Sequence, residues 1–272
     1  MLMDIDYGLS ENGLALGATG VQAPRRGVPG CEDDAPPVIV PRAGKTKNIT
    51  IVYPYYEQPP LLERQLESWR SYPKEVKDLL RVIIVDDASP DHPARYVLAN
   101  QGLPFPVSLF QIKQNVKWNQ HSARNIGMKH AEDGFCLILD MDLIAPADTM
   151  LALISGAHDP DIIYRLSRRK HTGERIYPHP NAWFMTREMF WRVGGYDEEL
   201  AGIWGTDDDW RRRCARTATI QVLADELVCY DATIKTQRQM RENRALKKKI
   251  IASRGKDWRP KVLSFEYEQT PF

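Results

Sequence analysis

The chain has 272 residues, of which 43% are hydrophobic and 27% charged. This composition is that of an ordinary globular protein and argues against a disordered, fibrous or membrane-spanning chain. The formal net charge of only +1 excludes a strong overall field for nucleic acid or an anionic membrane, so such a partner would need a local patch. No apolar run reaches about 20 residues and the N-terminus lacks a signal-peptide pattern. We therefore expect no membrane span and a cytoplasmic location.

The N-terminal residues 1–47 are rich in glycine, proline and small residues. Neither helical nor strand periodicity is present over residues 25–41, so a flexible or loosely packed arm is predicted. Regular structure is predicted to begin at Asn48, and residues 48–272 are expected to form a single domain with two halves, 48–150 and 151–272. The four cysteines lack Cys-x-x-Cys spacing, which argues against a disulfide framework or a zinc knuckle.

The first half alternates strand and helix patterns. Apolar, β-branched runs predict strands at residues 48–53, 81–85, 107–112 and 135–139. Helices are predicted from Pro59-Pro60 through Trp69 and from Ser122, as a cap, through Ala131. Strands that are apolar on both faces and separated by helices indicate an α/β fold with a mostly parallel central sheet flanked by helices.

The second half is less regular. Residues 179–185 are predicted to be extended, residues 186–193 to form a short helix that ends at Gly194-Gly195, and Thr206 or Asp207 to open a helix through Arg216. A final strand is predicted near residues 220–230, before a basic helical segment.

Acid pairs follow two of the predicted strands. Asp86 and Asp87 come after Val85, while Asp140 and Asp142 come after Leu139. In α/β sheets ligands bind beyond the carboxyl ends of the strands. An extended chain points both carboxylates of Asp-x-Asp to one side, as joint coordination of Mg²⁺ or Mn²⁺ requires. The alternative is ordinary turn chemistry for the first pair and a chance Asp-x-Asp for the second.

Four segments in order resemble the inverting GT-A glycosyltransferases, especially those of family 2. They are Ile49–Glu57, which resembles the first strand and donor-base loop, Val85–Ser89, which resembles an Asp-Asp-Gly-Ser turn, Ser122–Gly127, which resembles an Ala-Arg-Asn-x-Gly helix, and Leu139–Asp142, which matches the Asp-x-Asp motif. The resemblance covers about residues 48–210. It implies a GT-A fold, a hexosyltransferase-like enzyme, and a nucleotide-sugar-binding half followed by an acceptor-side half.

The resemblance also assigns donor-side roles. The residues that would bind the nucleotide sugar are Pro54, Tyr55, Glu57, Asp87, Arg124 and Asp140. Asp87 would accept a hydrogen bond from a pyrimidine ring N–H, which implies a UDP-sugar donor. Arg124 offers a guanidinium fork suited to a nucleotide, although an ordinary surface position on a helix is its alternative. Asp140 and Asp142 would hold Mn²⁺ or Mg²⁺ on the diphosphate.

A second acidic stretch offers a catalytic base. The segments Gly194–Leu200 and Gly205–Arg211 resemble the family's Gly-Gly-Phe-Asp-Glu and Glu-Asp-x-Asp-Leu motifs, and Asp207 takes the position of the general base. Inverting displacement of a diphosphate needs a carboxylate to remove the proton of the acceptor hydroxyl. The alternative is that three aspartates at the start of a helix serve only as helix caps.

Other positions stay open from sequence. Asp231 after the last strand is the predicted third metal ligand or a turn residue, with His171 and His179 as alternatives. Trp183 and Trp204 would either stack against a sugar or base or pack in the core. The acceptor could be a glycan, a lipid-linked carrier, a peptide or a modified nucleobase.

The basic C-terminal segment suggests rival functions. Arg238, Arg241 and Arg244 recur at helical spacing and would form a solvated face, a groove for a phosphorylated acceptor or a nucleic-acid contact. A polyanion-binding or nucleic-acid-binding protein without catalysis is one rival reading, but it leaves the ordered acidic motifs unexplained. A nucleotidyltransferase is another, and it would need a glycine-rich loop after the first strand, where residues 53–57 have no glycine.

Overall fold

The computed structural model describes residues 48–116, 118–203, 205–230 and 240–272. Within these ranges the strands are β1 (Ile49–Tyr55), β2 (Leu80–Asp86), β3 (Val107–Ile112), β4 (Phe135–Ile138), β5 (Leu143–Ile144), β6 (Ile162–Lys170), β7 (Arg175–Ile176), β8 (Trp183–Thr186), β9 (Thr219–Cys229) and β10 (Tyr267–Gln269). The helices are α1 (Pro59–Ser71), α2 (Lys74–Lys77), α3 (Ala94–Leu98), α4 (Gln120–His130), α5 (Ala147–Ser155), α6 (Arg187–Val193), α7 (Asp207–Thr217) and α8 (Met240–Ala252). The predicted α/β sheet with flanking helices is confirmed.

One sheet joins both halves of the described chain. Its strand order is β10-β3-β2-β1-β4-β8-β6-β9-β5, with β7 paired to β6. Strands β3, β2, β1 and β4 run parallel, so their carboxyl ends meet at one edge. Beyond β4 the pairing is mixed, because β8 is antiparallel to both β4 and β6. Helix α5 crosses the predicted division between residues 150 and 151.

Apolar side chains cover both faces of the parallel part of the sheet. Ile51 and Tyr53 on β1 face one buried cluster, while Val52 faces the other with Ile126 of α4. Helix α4 lies so close to β1 that a Cβ added at Gly127 would overlap Val52 Cγ1. This close approach fixes the position of α4 against the strand ends.

Two helix starts differ in how they are capped. Thr186 caps α6, since its hydroxyl accepts a hydrogen bond from Met189 N at 3.0 Å. The prediction that Ser122 caps a helix is wrong: α4 begins at Gln120, and the Ser122 hydroxyl donates to Asn119 Oδ1 at 2.5 Å. Helix α7 begins at Asp207, with Thr206 before it.

The C-terminal segment is fastened to the acidic stretch that precedes α7. Arg254 donates to Asp197 Oδ2 at 2.6 Å and to Asp209 Oδ1 at 2.5 Å. The backbone N–H groups of Leu263 and Ser264 donate to the buried Glu198 carboxylate at 2.8 and 2.7 Å. These contacts fix the start of α7. None of the described helices is both long and apolar enough to cross a bilayer.

Candidate active site

Side chains from both halves of the chain meet beyond the carboxyl end of β4. Asp140 and Asp142 follow β4, Arg124 comes from α4, and Asp207 opens α7. Each of Arg124, Asp140 and His179 shifts the pKa of Asp207 through its charge, so these groups share one electrostatic environment. The structure thus brings together acids that are far apart in sequence.

Asp140 is held at two oxygens. The Arg124 guanidinium donates to Oδ1, and Asn181 Nδ2 donates to Oδ2 at 3.0 Å. His179 Nδ1 lies 3.7 Å from the same Oδ2. Burial alone would raise the pKa of Asp140, but the charges of Arg124 and His179 and the hydrogen bonds from Asn181 and Arg124 together lower it. Asp140 is therefore an ionised, oriented carboxylate.

Asp140, Asp142 and His179 form a group that could hold a metal ion. One ligand atom from each residue lies within 4.8 Å of the others. Asp142 Oδ1 is buried and has no hydrogen-bond partner among the described residues. Burial and, secondly, the charge of Asp140 raise the pKa of Asp142 to about 7. Two carboxylates and an imidazole suit Mn²⁺ or Mg²⁺, and a cation there would relieve the repulsion between the carboxylates.

The three predicted candidates for the further metal ligand differ in position. His179 belongs to the group described above. His171 stacks on Tyr230 with ring centroids 5.1 Å apart and is not a member of that group. Asp231 lies outside the described residues.

The segment that carries His179 is anchored by arginines of β6. Arg165 Nη2 donates to the carbonyl oxygens of Pro178 and His179, both at 2.8 Å. Arg168 Nε donates to Tyr177 O at 2.9 Å. These bonds position the imidazole beside the carboxylates.

Arg124 is fully buried at the centre of the site. Its Nη2 also donates to Gln120 Oε1 at 2.8 Å, and its guanidinium carbon lies 5.1 Å from the centroid of Tyr196. Burial would lower the pKa of Arg124, but the charges of Asp140, Tyr196 and Asp207, with the hydrogen bond to Asp140, together raise it. Nε and Nη1 have no partner among the described residues. The surface-helix alternative for Arg124 is therefore wrong.

Three consecutive aspartates at the start of α7 have different surroundings. Asp208 accepts from Lys247 Nζ at 2.6 Å, and Asp209 accepts from Arg254 at 2.5 Å and Arg213 at 3.1 Å. Asp207 Oδ1 is buried without a partner among the described residues. Burial, followed by the opposing effect of Arg124 and the added effect of Asp140, leaves the pKa of Asp207 raised. Only Asp207 of the three faces the other site residues.

His121 connects the acidic stretch to the residue before Asp207. Its Nδ1 lies 3.1 Å from Asp197 O and its Nε2 lies 3.0 Å from Thr206 Oγ1. A carbonyl can only accept, so Nδ1 carries the proton and Nε2 accepts from the threonine hydroxyl. Burial, together with the nearby Arg124 charge, lowers the pKa of His121 to about 4. The neutral ring positions the start of α7.

The carboxylates at the end of β2 have unequal roles. Asp86 accepts from Ser89 N and Ala94 N, both at 2.8 Å, and so closes the turn. Asp87 Oδ2 accepts from Asn119 N at 3.1 Å, whereas Asp87 Oδ1 and Asn119 Nδ2 are buried without partners among the described residues. Burial raises the pKa of Asp87. Turn chemistry therefore explains Asp86 and leaves Asp87 available.

Other predicted donor contacts lie in well-packed surroundings. Tyr55 is buried and its hydroxyl donates to His92 O at 2.7 Å. Glu57 Oε1 accepts from Asp91 N and His92 N, both at 3.0 Å. Pro54 is half-buried. Tyr55 and Glu57 thus stabilise the loop after β2, and donor contacts of all three residues stay a prediction.

Of the two tryptophans predicted to stack on a ligand or pack in the core, the structure describes Trp183. Trp183 is fully buried and meets Trp210 edge-on with centroids 6.4 Å apart. Arg165 lies 5.2 Å from the centroid of its ring. Core packing is therefore the role the structure gives Trp183. Trp204 lies outside the described residues.

Comparison with known proteins identifies the family. Residues 50–215, more than half of the chain, match the model of glycosyl transferase family 2. The chain belongs to this family. Curated family-2 relatives include undecaprenyl-phosphate 4-deoxy-4-formamido-L-arabinose transferases. The protein from Yersinia enterocolitica is 28% identical over 115 residues, 42% of this chain and 35% of the relative. The protein from Proteus mirabilis is 28% identical over 119 residues. This family-2 chain thus matches about a third of each relative's length.

Solved structures agree on the fold. A mannosyltransferase from Pyrobaculum calidifontis, in complex with GDP-Man and Mn²⁺, is 19% identical with a TM-score of 0.56 over 79% of this chain and 64% of that one. TarS 1–349 of S. aureus, in complex with UDP-GlcNAc, is 17% identical with a TM-score of 0.58 over 69% of this chain and 60% of that one. The predicted GT-A fold is confirmed, and family membership supports glycosyltransferase activity.

Several residues of the site were missed by sequence reasoning. They are the polar side chains Asn119, Gln120, His121, Arg165 and Asn181. Asn119 to His121 directly precede Ser122–Gly127, the segment that resembles the family's Ala-Arg-Asn-x-Gly helix. Three polar residues at that place were therefore a usable signal. Asn181 stands alone in an extended segment, and no local pattern marks it.

Proposed function

We propose that this family-2 enzyme transfers a sugar from a nucleotide-diphosphate donor to an acceptor hydroxyl with inversion. The observation that supports this most is the meeting of Asp207, which has a buried carboxylate oxygen without a described partner, with the Asp140–Asp142–His179 group. Inverting displacement needs a base on one side of the sugar and a stabilised leaving group on the other. The arrangement offers both.

The leaving-group end is built by Asp140, Asp142 and His179, with Asp231 as a further predicted ligand. Mn²⁺ or Mg²⁺ bound there would neutralise the charge that develops on the diphosphate. Arg124 supports this end, because its guanidinium orients Asp140 and has two nitrogens, Nε and Nη1, without described partners. The structural neighbour from Pyrobaculum calidifontis, which is in complex with GDP-Man and Mn²⁺, supports such a metal.

The nucleotide end supports a uridine donor. Asp87 Oδ1 accepts and Asn119 Nδ2 donates, and both atoms are buried without partners among the described residues. Since Asn119 N also bonds Asp87 Oδ2, the two side chains lie side by side. One acceptor next to one donor complements the ring N–H and a neighbouring carbonyl of uracil.

The base step is assigned to Asp207. Its carboxylate takes the proton of the acceptor hydroxyl while the hydroxyl oxygen attacks the anomeric carbon opposite the diphosphate. The bond to the diphosphate oxygen then breaks, and its electron pair leaves with the diphosphate. A pKa raised by burial makes this carboxylate a stronger base than an exposed aspartate.

A phosphate acceptor is the second candidate, because the curated relatives are named undecaprenyl-phosphate transferases. A phosphate monoester has lost most of its second proton at neutral pH. Its oxygen can attack without a base. Asp207→Asn would then leave most of the transfer rate intact, so this variant distinguishes the two acceptor classes.

A thermal-stability screen tests the proposed function. Purified protein is heated with UDP-sugars or GDP-sugars, in Mn²⁺ or in EDTA. A ligand at about 100 times its Kd stabilises the folded state by about 2.7 kcal/mol, so we expect UDP-sugars to raise the Tm in Mn²⁺ only. If no nucleotide sugar raises the Tm with metal present, the donor and metal assignments are wrong.

Donor hydrolysis separates the enzyme from a non-catalytic polyanion-binding protein. The enzyme reading predicts slow, Mn²⁺-dependent release of UDP, and the binding protein predicts none. Lys247 of the basic segment already pairs with Asp208 and Gly205 O, which favours a structural role for that residue. The side chains of Arg238, Arg241 and Arg244 lie outside the described residues. A cytoplasmic location stays a prediction.

A further inference from the structure

Asn181 lies at the point where the two ends of the proposed site meet. Its side chain is only 5% exposed. Its Nδ2 donates to Asp140 Oδ2 at 3.0 Å, and Asn181 lies close enough to Asp207 to oppose the larger effect of burial on the pKa of that carboxyl. Asn181 thus bonds a carboxylate of the leaving-group end and lies near the carboxylate assigned as the base.

The orientation of the Asn181 amide follows from its neighbours. An amide oxygen turned toward the ionised Asp140 would be repelled, so the NH₂ group faces the carboxylates. The backbone is fixed as well, because Asn181 N donates to His179 Nδ1 at 3.2 Å. Oδ1 is consequently turned away, and it is buried without a partner among the described residues. Buried polar atoms of this kind are rare in folded proteins and need a partner that donates a hydrogen bond.

The position of the transferred sugar decides which hydrogen-bond donor can reach Asn181 Oδ1. In the proposed reaction the sugar is attached to the diphosphate at the Asp140–Asp142 end, and its anomeric carbon faces the acceptor oxygen beside Asp207. Asn181, which bonds Asp140 and lies near Asp207, is therefore placed along the sugar ring. Phosphate oxygens cannot donate to an amide oxygen, whereas sugar hydroxyls can.

We propose that Asn181 Oδ1 accepts a hydrogen bond from a hydroxyl group of the transferred sugar and thereby contributes to the choice of donor sugar. This inference rests on the proposed function. It assigns Asn181 a sugar-binding role in addition to its structural contact with Asp140. The two roles use opposite ends of the amide, so they can be separated by substitution.

Two variants separate these roles. Asn181→Ala removes both the NH₂ group and the accepting oxygen. Asn181→Asp has nearly the same shape and keeps an accepting oxygen, but it replaces the NH₂ group that bonds Asp140 with a second carboxylate oxygen. If Asn181 acts only through Asp140, the two variants should change the binding of UDP-sugar relative to UDP alike. If Oδ1 also binds the sugar, only Asn181→Ala should weaken the binding of UDP-sugar relative to UDP.

The experiment measures Kd for UDP and for UDP-glucose in Mn²⁺ by calorimetry, with UDP-N-acetylglucosamine as a second sugar. We expect Asn181→Ala to weaken UDP-sugar binding about tenfold relative to UDP in the same variant, the size of one lost hydrogen bond. Asn181→Asp should keep the wild-type ratio of the two Kd values within about threefold. Using this ratio cancels any loss of metal or nucleotide binding that both ligands share.

Two results would overturn the inference: an unchanged ratio in Asn181→Ala, or an equal loss of ratio in Asn181→Asp. If Asn181→Ala does not fold, the ratio in Asn181→Asp still decides, because its loss contradicts a role for the accepting oxygen. Failure of the proposed function is distinguishable, since wild-type protein would then bind neither UDP-sugar, and the inference would fall with it.

Discussion

The two halves of the sheet build the site in different ways. In the parallel half, Asp87 and Asp140 follow β2 and β4 at one edge of the sheet. Asp142 lies in a turn that the Leu143 N–Asp140 O hydrogen bond closes at 3.0 Å, and not in the extended chain that the sequence predicts. In the mixed half, His179 and Asn181 come from a segment between β7 and β8 that β6 arginines anchor. The ends of parallel strands can thus place carboxylates at one edge, whereas His179 and Asn181 depend on contacts between segments that are distant in the chain.

The largest expected effect comes from the acceptor side. Asp207→Asn should reduce transfer to a hydroxyl acceptor about 100-fold to 10,000-fold, the usual contribution of a general base, while Kd for the donor changes little. Asp208→Asn is the matched control, because Asp208 is the next residue of α7 and is paired with Lys247. Steady-state kinetics and calorimetry check both. Equal loss in the two variants would remove the assignment of the base.

The next effect concerns the metal end of the parallel half. Asp142→Asn should weaken Mn²⁺ binding by at least about 100-fold, since loss of a ligand exceeds the 10–100-fold cost of losing a residue that only supports one. Calorimetric titration with Mn²⁺ in the presence of UDP measures this. Asp91→Asn, at an exposed position in the loop after β2, serves as control. Wild-type affinity in Asp142→Asn would place the cation elsewhere.

Packing of the parallel half predicts a stability effect. Gly127→Ala should lower the free energy of unfolding by about 1–3 kcal/mol, because the added methyl group overlaps Val52 Cγ1. Gly102→Ala adds the same group where nothing lies within 4 Å and should be close to neutral. Urea denaturation compares them. Similar midpoints for both variants would show that α4 does not press on β1 as the structure indicates.

The smallest effect is a pH dependence from the mixed half. The pKa of His121 is lowered to about 4 in the folded state, against about 6.5 in an unfolded chain. Between these values the unfolded state binds more protons, so His121 lowers stability as pH falls from about 6.5 to 4. Replacing His121 by Gln removes this pH dependence, which changes the free energy of unfolding by up to about 1 kcal/mol per pH unit.

The difference in unfolding free energy between wild type and His121→Gln, measured by urea denaturation at several pH values, isolates this one group. Carboxylates titrate in both proteins and cancel in the difference. A difference that stays constant from pH 7 to pH 4 would mean that His121 can be charged in the folded protein. That outcome would also remove its assigned neutral tautomer beside Thr206.

The sequence could predict the parts of this site that follow from local patterns. Apolar strands followed by acids gave the correct edge for Asp140 and Asp142, and the motif order indicated the family. The motif resemblance singled out Asp207, but the run of three aspartates does not itself show why Asp208 and Asp209 turn elsewhere, because Lys247 and Arg254 engage them from a distant segment.

Other features depend on tertiary contacts in the same way. Ser122 has the composition of a helix cap but lies inside α4, where its hydroxyl bonds Asn119. Asn181 and His121 act through partners more than 40 positions away. The alternation of apolar and polar residues carries no information about such partners.

The most direct test of a site shared by both halves is the contribution of His179 to metal binding. Calorimetric titration with Mn²⁺ and UDP compares His179→Asn with His171→Asn, whose ring stacks on Tyr230 instead. We predict at least about tenfold weaker Mn²⁺ binding for His179→Asn and wild-type binding for His171→Asn. Unchanged binding in His179→Asn would contradict a metal centre assembled from both halves of the chain.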